Sequence, residues 1–283
     1  MTRPISARTR VAGVVGQPVR HSLSPVIHNA WIDAAGLEAV YLAFEPAVER
    51  FEAFVEGLRG GLVLGLNVTT PFKERAFALS NDPDVSARGV QAANLLLFGE
   101  DGRITAQSTD GAGLLAALSA AERDLGAGPV VVLGAGGAAR SVVQALRLQG
   151  AGEIRVVNRT LERARGLVGL DPARVFAYGW PDVGKALADA AVVVNATSLG
   201  MHGQPPLDLD LELAPPDALI AEIVYHPLTT PLLIQGRARG HRIVDGLDML
   251  IGQAAPSFRA LFGQPPPEVD VRALCEAALA ERP

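Results

Sequence analysis

The sequence predicts an α/β protein of two domains, each built on a mostly parallel sheet, the second of them Rossmann-type. Three observations carry this. At 283 residues the chain is longer than one typical domain, and its 49% hydrophobic content is enough for two cores. Aromatics make up only 5%, while Ala, Val, Leu and Gly are abundant, a mix that suits β-α-β layers better than a sandwich built on Trp and Tyr. Short Val- and Leu-rich strands also alternate with helical patterns, and they do so twice.

The first alternation reads strand 11–16, helix 25–35, strand 39–45, helix 47–58, strand 62–67, helix 71–79. Two further strands follow at 94–98 and 103–107, then a Gly/Ala/Leu helix from Asp110 to about 125 that serves as a linker. The second alternation opens with the apolar run 129–133 and continues with helix 137–149, strand 153–158 and helix 161–168. Strands near 174–177, 191–195 and 218–223 complete it. The tail from Gly246 to about residue 279 has helical periodicity and no strand. It is expected to return to the first domain. That implies a discontinuous substrate domain, 1–110 with 246–283, around a Rossmann domain, 111–245, and leaves a cleft between them.

Composition excludes several function classes. The net charge is −5 and there is no long Lys/Arg run to neutralise a row of phosphates, so nucleic acid is not an expected partner. The single cysteine, Cys275, allows no disulfide within the chain and no Cys-based metal site, which fits a reducing, cytoplasmic setting. No apolar run approaches the roughly 20 residues of a membrane span. The start, 1–10, carries three arginines but no secretory apolar segment, and reads as a ragged terminus. His21, His28, His202, His226 and His241 show no ligand spacing and read as surface or capping residues, so no metal is expected. A monomer and a homodimer both fit.

The cofactor signal lies at 134–140, GAGGAAR, directly after an apolar strand and at the head of a helix, the setting a dinucleotide fingerprint requires. Gly134 allows the tight turn, Gly136 lets backbone approach a pyrophosphate, and Ala139 permits close helix–strand packing, while free N–H groups at the helix start hold the anion. An ordinary Gly-rich turn is the competing reading. The next strand decides the cofactor: where NAD-binding chains place an Asp or Glu for the ribose hydroxyl, this sequence has Asn158-Arg159-Thr160. With no carboxylate to repel a 2′-phosphate, and a guanidinium fork to match one, NADP is expected over NAD, with Arg163 assisting one turn on. Thr160 also suits a helix N-cap.

Three segments carry candidate chemistry. In 16–29, GQPVRHSLSPVIHN, Ser24 and Pro25 fit N-cap and N1 positions, which leaves Ser22 unexplained; two hydroxyls beside a positive helix end can also bind a carboxylate. In 67–73, NVTTPFK, Thr70-Pro71 begin a helix and Lys73 lies in its first turn. The helix dipole disfavours a cation there by roughly 0.3–1 kcal/mol, a placement that suits a proton donor to a developing alkoxide; a lysine that merely points into water is the competing reading. In 108–111, STDG, Asp110 is either an N-cap or a carboxylate facing Lys73 that keeps the ammonium charged and accepts a substrate hydroxyl.

Together these segments resemble the motifs of the shikimate dehydrogenase family, over nearly the whole chain from Val11 to about Ala278. The resemblance implies that Ser22 and Ser24, helped by Tyr225 in EIVYHP, grip the substrate carboxylate. It makes Thr69 a substrate contact, Lys73 the catalytic acid/base, Asn94 and Asp110 substrate ligands, and Gln253 of GLDMLIGQA the tail glutamine that reaches the substrate. For the cofactor it implies Gly134, Ala135, Gly136, Gly137 and Ala138, then Asn158, Arg159 and Thr160, then the run NATSLGM with Thr197 and Met201 near the nicotinamide, with Ile223 and Gly246 as backbone contacts. The implied activity is NADPH-dependent reduction of 3-dehydroshikimate to shikimate, on the way to chorismate and the aromatic amino acids. Alternatives are an NAD-using quinate/shikimate dehydrogenase, against which Arg159 argues, and a noncatalytic NADP-sensing regulator, which would not need Lys73, Asp110 and the serine pair together. Three positions depart from the family pattern: Ser108 for Asn, Glu222 for Asp, and Leu95 for the Thr expected after Asn94.

Overall fold

A computed structural model describes residues 5–281. The chain divides into two units, residues 1–109 with 253–283, and residues 110–252. Among the described residues the strands form two six-stranded sheets, one in each unit.

The first unit runs β1 (Arg10–Val15), α1 (Ser24–Ala34), β2 (Ala39–Phe44), α2 (Phe51–Glu56), β3 (Val63–Val68), α3 (Lys73–Leu79), β4 (Asp82–Pro83), α4 (Val85–Val90), β5 (Leu95–Phe98) and β6 (Ile104–Gln107). Sheet order is β2-β1-β3-β5-β6-β4. The β-α-β crossovers make β1 parallel to β2 and β3, as the alternation anticipates. The sheet is nevertheless mixed, because β5 pairs antiparallel with both β3 and β6. The cause is local: a tight turn over 99–103, with Gly99 N–H donating to Arg103 O and Gly102 at φ 76°, closes β5 and β6 into a hairpin. Leu66, Val68, Phe72, Leu96 and Ile104 are buried between this sheet and its helices.

The second unit runs α5 (Asp110–Ala120), β7 (Val130–Leu133), α6 (Gly137–Leu148), β8 (Ile154–Asn158), α7 (Leu161–Val168), β9 (Val175–Gly179), α8 (Val183–Leu187), β10 (Val192–Asn195), β11 (Leu219–Glu222), α9 (Pro231–Ala238) and β12 (Ile243–Val244). All its strand pairs are parallel, in the order β12-β11-β10-β7-β8-β9. Numbered within the unit this is the 3-2-1-4-5-6 order of the Rossmann fold, read from β9. Two aliphatic clusters, around Val130, Val132 and Val194 on one side and Val131, Val193 and Ile220 on the other, cover both faces.

The tail is helical, as α10 (Gly246–Phe262) and α11 (Val271–Ala280), and the division between the units falls inside α10, at Gly252/Gln253. Within the first unit α11 packs on α1, and Cys275 is fully buried.

Several local expectations are corrected. Helix α3 starts at Lys73, with Thr70-Pro71 in the turn before it, and α1 starts at Ser24, with Leu23 in the N-cap position and no side-chain cap. Thr160 is the N-cap residue of α7 but makes no side-chain cap bond. Helices α4, α8 and α9 are not anticipated from periodicity; each is eight residues or shorter. Of the terminal stretch read as ragged, residues 1–4 lie outside the described residues, while Thr9 N–H donates to Ser6 O in a turn that leads into β1. Finally, His28 and His241 are buried rather than at the surface. On α1 the buried positions are Ser24, Ile27, His28, Trp31 and Ile32, a helical stripe that carries His28 inward. His241 bonds through Nδ1 to Ala218 O at 3.1 Å.

Candidate active site

In the first unit the candidate residues gather at the C-terminal ends of β1 and β3 and, because β5 runs antiparallel to β3, at the N-terminal end of β5. The turn after β1 and the turn after β3 are tied together: Thr69 N–H donates to Val15 O at 2.9 Å and Gln17 N–H to Thr70 O at 3.0 Å. Gly16 is required there, since a Cβ would run into the Thr69 side chain. This holds the Ser22–Ser24 turn near Thr69. Ser22 Oγ accepts from Ser24 N–H at 3.2 Å, so the two hydroxyls sit on one turn at the head of α1.

Lys73 is half-buried and opens α3. Its carbonyl accepts from Ala93 N–H at 2.9 Å, which sets the helix start beside Asn94. Just ahead of it, Phe72 is buried and stacked on Phe51 with centroids 4.3 Å apart, an anchor that fixes where α3 begins.

Below these residues runs a buried polar network. Tyr41 hydroxyl donates to Asn67 Oδ1 at 2.8 Å and is also bonded to the Ser24 side chain; burial pushes its pKa well above 10. Asn67 Nδ2 donates to Asn94 O at 3.1 Å and to Ser257 Oγ at 2.9 Å. Asn94 Nδ2 donates to Thr109 Oγ1 at 2.9 Å and Gln253 Oε1 at 3.3 Å, while its Oδ1 accepts from Thr109 N–H at 2.7 Å. Thr109 and Ser257 hydroxyls lie 3.2 Å apart. Ser24, Asn94 and Gln253, separate in sequence, therefore belong to one hydrogen-bonded set, and Asp110, buried at the start of α5, follows Thr109 directly. Leu95, one of the departures, is a fully buried strand residue, and Asn94 is supported by Thr109 and Gln253 instead.

The network also brings in residues to which the sequence reading gave no role: Tyr41, Ser257, Thr109 and the side chain of Asn67. Ser257 was legible in principle, since it stands four residues after Gln253 and so on the same helix face. His28 lies against the network without joining it. It is stacked on Tyr41 with centroids 4.2 Å apart, flanked by Trp31 and Phe258, and neither ring nitrogen has a partner. Burial lowers its pKa to about 3, so the ring is neutral.

In the second unit Gly134 follows β7 at φ 109°, where a Cβ would stand 2.9 Å from Ala196 O. Gly136 is exposed and a Cβ there would meet nothing within 4 Å, which leaves room for a ligand against its backbone. Gly137 opens α6, whose N-terminus has no side-chain cap, so its first N–H groups can face an anion; Ala135 and Ala138 flank this turn. Ala139 is fully buried against the sheet. At the end of β8, Asn158 Nδ2 donates to Thr160 O at 2.9 Å. Arg159 and Arg163 are exposed, and among the described residues neither is in an ion pair. The donor set, a capless helix start and a cation at the second strand with no carboxylate beside it, fits a 2′-phosphorylated dinucleotide.

Thr197 and Met201 lie on the loop after β10, Ile223 and Tyr225 follow β11, and Gly246 heads α10, where a Cβ would run into the Val224 carbonyl. Asn195 Oδ1 accepts from Thr197 N–H at 3.1 Å and from its hydroxyl at 2.7 Å. Ile223 N–H donates to Asn195 O at 3.1 Å.

The chain matches three family models: a shikimate dehydrogenase substrate binding domain at residues 14–96, shikimate / quinate 5-dehydrogenase at 116–201, and a shikimate 5′-dehydrogenase C-terminal domain at 246–276. It is 51% identical to a shikimate dehydrogenase (NADP(+)) of Caulobacter vibrioides, over 99% of this chain and 100% of that one, and 44% identical to one of Mesorhizobium japonicum, over 97% and 99%. Among solved structures, shikimate 5-dehydrogenase of Thermus thermophilus in complex with NADP(H) and shikimate aligns with TM-score 0.85 at 36% identity, covering 95% of this chain and 98% of that one.

Proposed function

The chain belongs to the shikimate dehydrogenase family, and from that premise we propose that it reduces 3-dehydroshikimate to shikimate, reversibly and with NADPH, on the route to chorismate and the aromatic amino acids. The observation that carries this is the buried network that unites Ser24, Asn67, Asn94, Thr109 and Gln253 beneath the Ser22, Thr69 and Lys73 turns. A core of this size would be simpler with apolar residues; polar groups fully satisfied by one another hold a polar surface in a fixed shape.

In this reading Ser22 and Ser24, with Tyr225, take the substrate carboxylate, and Thr69, Asn94 and Gln253 take ring hydroxyls. NADPH, when bound, supplies the hydride that reduces the carbonyl carbon. Lys73 gives a proton to the carbonyl oxygen as it becomes an alkoxide, and solvent restores that proton. Asp110 in this reading accepts a hydrogen bond from a neighbouring substrate hydroxyl and helps to orient it. The cofactor would be held by the 134–138 turn at the pyrophosphate, by Asn158, Arg159, Thr160 and Arg163 at the 2′-phosphate, and by Thr197, Met201, Ile223 and Gly246 at the other end. The curated relatives named above carry NADP(+) in their names, in line with Arg159. No helix among the described residues is long and apolar enough to cross a membrane, and the reading carries with it a cytoplasmic monomer or homodimer acting on a small molecule.

The test is a two-by-two panel, shikimate and quinate each with NADP and NAD, followed by absorbance of the reduced cofactor. The expected result is turnover of shikimate with NADP far above the other three combinations. Absence of turnover with shikimate and NADP would overturn the proposal.

A further inference from the structure

The cofactor reading leaves Glu222, the last residue of β11, without a role. Glu222 is fully buried. Its carboxylate accepts from Asn195 Nδ2 on both oxygens at 3.0 Å, from Val224 N–H at 3.0 Å and from the Thr230 hydroxyl at 3.1 Å. Asn195 passes the constraint on. Besides its bonds to Thr197, its Nδ2 donates to Leu199 O at 3.2 Å, and Thr197 Oγ1 accepts from Leu199 N–H at 3.0 Å. Thr230 closes the other side: a Cβ on Gly200 would stand 3.6 Å from Thr230 Cβ. One carboxylate thus anchors the 195–201 loop, the 223–225 segment and the head of α9.

The sheet itself does not need an acid at this point. The register of β10 on β11 is set by the parallel ladder from Val192↔Leu219 to Asn195↔Glu222, and the residues beneath are aliphatic. Burying the carboxyl is unfavourable, and desolvation pushes it up to about 7. Strand order indicates what this burial serves. The Gly134–Gly137 turn follows β7, Arg159 follows its neighbour β8, and β10 and β11 lie on the opposite side of β7. A dinucleotide with its pyrophosphate at the β7 turn and its 2′-phosphate at β8 must lay its other half over β10 and β11.

We propose that Glu222 is a positioning residue for the nicotinamide half of the cofactor, acting through Asn195 on the 195–201 loop. The inference rests on the NADP reading above and adds a specific division of labour: the adenosine half is held independently of Glu222.

The experiment compares wild type, Glu222→Gln, Glu222→Asp and Asn195→Ala. It measures kcat and KM for NADPH with 3-dehydroshikimate, and the affinity for adenosine 2′,5′-bisphosphate, which carries only the adenosine end. Glutamine turns an acceptor into a donor in a cage made of donors, so Glu222→Gln should lose about tenfold or more in kcat/KM for NADPH. Its affinity for adenosine 2′,5′-bisphosphate should stay within about twofold of wild type. Glu222→Asp, which keeps the charge on a shorter arm, should recover part of the loss, and the double variant Glu222→Gln/Asn195→Ala should be no worse than the poorer single one. If Glu222→Gln does not fold, the same split is read on Glu222→Asp. Wild-type kinetics in the variant, or equal losses in NADPH and adenosine 2′,5′-bisphosphate binding, would overturn the positioning role. A wild-type protein that consumes no NADPH with 3-dehydroshikimate would sink the underlying activity, and this inference with it.

Discussion

His28 makes the first unit acid-sensitive by an amount that can be worked out. Its ring is sealed among Trp31, Tyr41 and Phe258, none of which is charged at neutral pH, and neither nitrogen has a partner. Its pKa falls from 6.5 to about 3 on folding because burial penalises the cation. The unfolded chain therefore binds a proton that the folded chain refuses, and stability is lost as pH falls from about 6.5 towards 3. At 1.36 kcal/mol per pKa unit the full effect is about 5 kcal/mol, of which about 2 kcal/mol is already lost at pH 5. Glu222 works with the opposite sign. Its carboxyl is raised to about 7, so the folded chain binds that proton more tightly than the unfolded one, and stability rises as pH falls from 7 to 4.5. The wild-type profile alone would blend the two.

The discriminating variant is His28→Leu, of similar volume and with nothing to protonate. At pH 7.5 it removes two unsatisfied polar atoms, worth about 1–3 kcal/mol each, and loses the stacking on Tyr41, worth about 0.5–1.5 kcal/mol, so it should be at least as stable as wild type. At pH 5 its advantage should grow by about 2 kcal/mol, which moves the urea midpoint by roughly 1 M. The assay is urea unfolding followed by Trp31 fluorescence in a Trp180→Phe background, since Trp31 lies 5.7 Å from His28 and these are the two tryptophans of the chain. A gap between variant and wild type that is the same at pH 5 and pH 7.5 would refute the reasoning.

Three further outcomes follow from the proposed site. Lys73→Ala should lower kcat by about 10²–10⁴, and near-normal turnover would exclude Lys73 as proton donor. Arg159→Gln should raise KM for NADP by about 10- to 100-fold while leaving NAD kinetics nearly untouched; a parallel loss with both cofactors would show that Arg159 does not read the 2′-phosphate. Ser257→Ala strands one Asn67 Nδ2 proton and removes a partner of Thr109, so chemical denaturation should show a loss of about 1–3 kcal/mol. A variant as stable as wild type would mean that water replaces the hydroxyl.

Much of the fold was legible because its long elements obey simple periods: β1, α1, β3, β7, α6 and α7 all lie within one or two residues of where alternation and caps put them. What escaped was set by pairing and by direction. The antiparallel insertion of β5 depends on a hairpin turn whose glycines sit in the sequence GEDGR, a signal present but outweighed by the expectation of parallel strands. His28 was misjudged because ligand spacing was weighed and helical phase was not; Ile27, Trp31 and Ile32 already marked its face as inward. At the site, motif residues such as Ser22, Lys73 and Asn94 stand out by type and position. Their supports do not. Asn67 and Ser257 meet across 190 residues of sequence, and only the fold, by returning α10 to β3, makes that pair visible.

A common device underlies both halves of the molecule. Asn67, Asn94 and Asn195 each sit at or beside one end of a strand, each is at most 6% exposed, and each uses its amide both to donate and to accept. Asn67 joins Tyr41 to Asn94 and Ser257, Asn94 joins Thr109 to Gln253, and Asn195 joins Glu222 to Thr197 and Leu199. An amide is suited to this place because it can bridge a donor and an acceptor at once and carries no charge whose burial must be offset. Aspartate at the same positions would set a carboxylate oxygen against a carbonyl or a second carboxylate, and leucine would leave several partners unsatisfied. The loops that carry the candidate chemistry are therefore held in part by neutral bridges. Buried acids supplement them where several backbone donors converge: Asp245 accepts from Leu247 N–H at 3.0 Å and Asp248 N–H at 3.1 Å at the head of α10, and Glu222, fully buried, accepts from Asn195, Val224 N–H and Thr230, which is why a positioning role has to be sought for it.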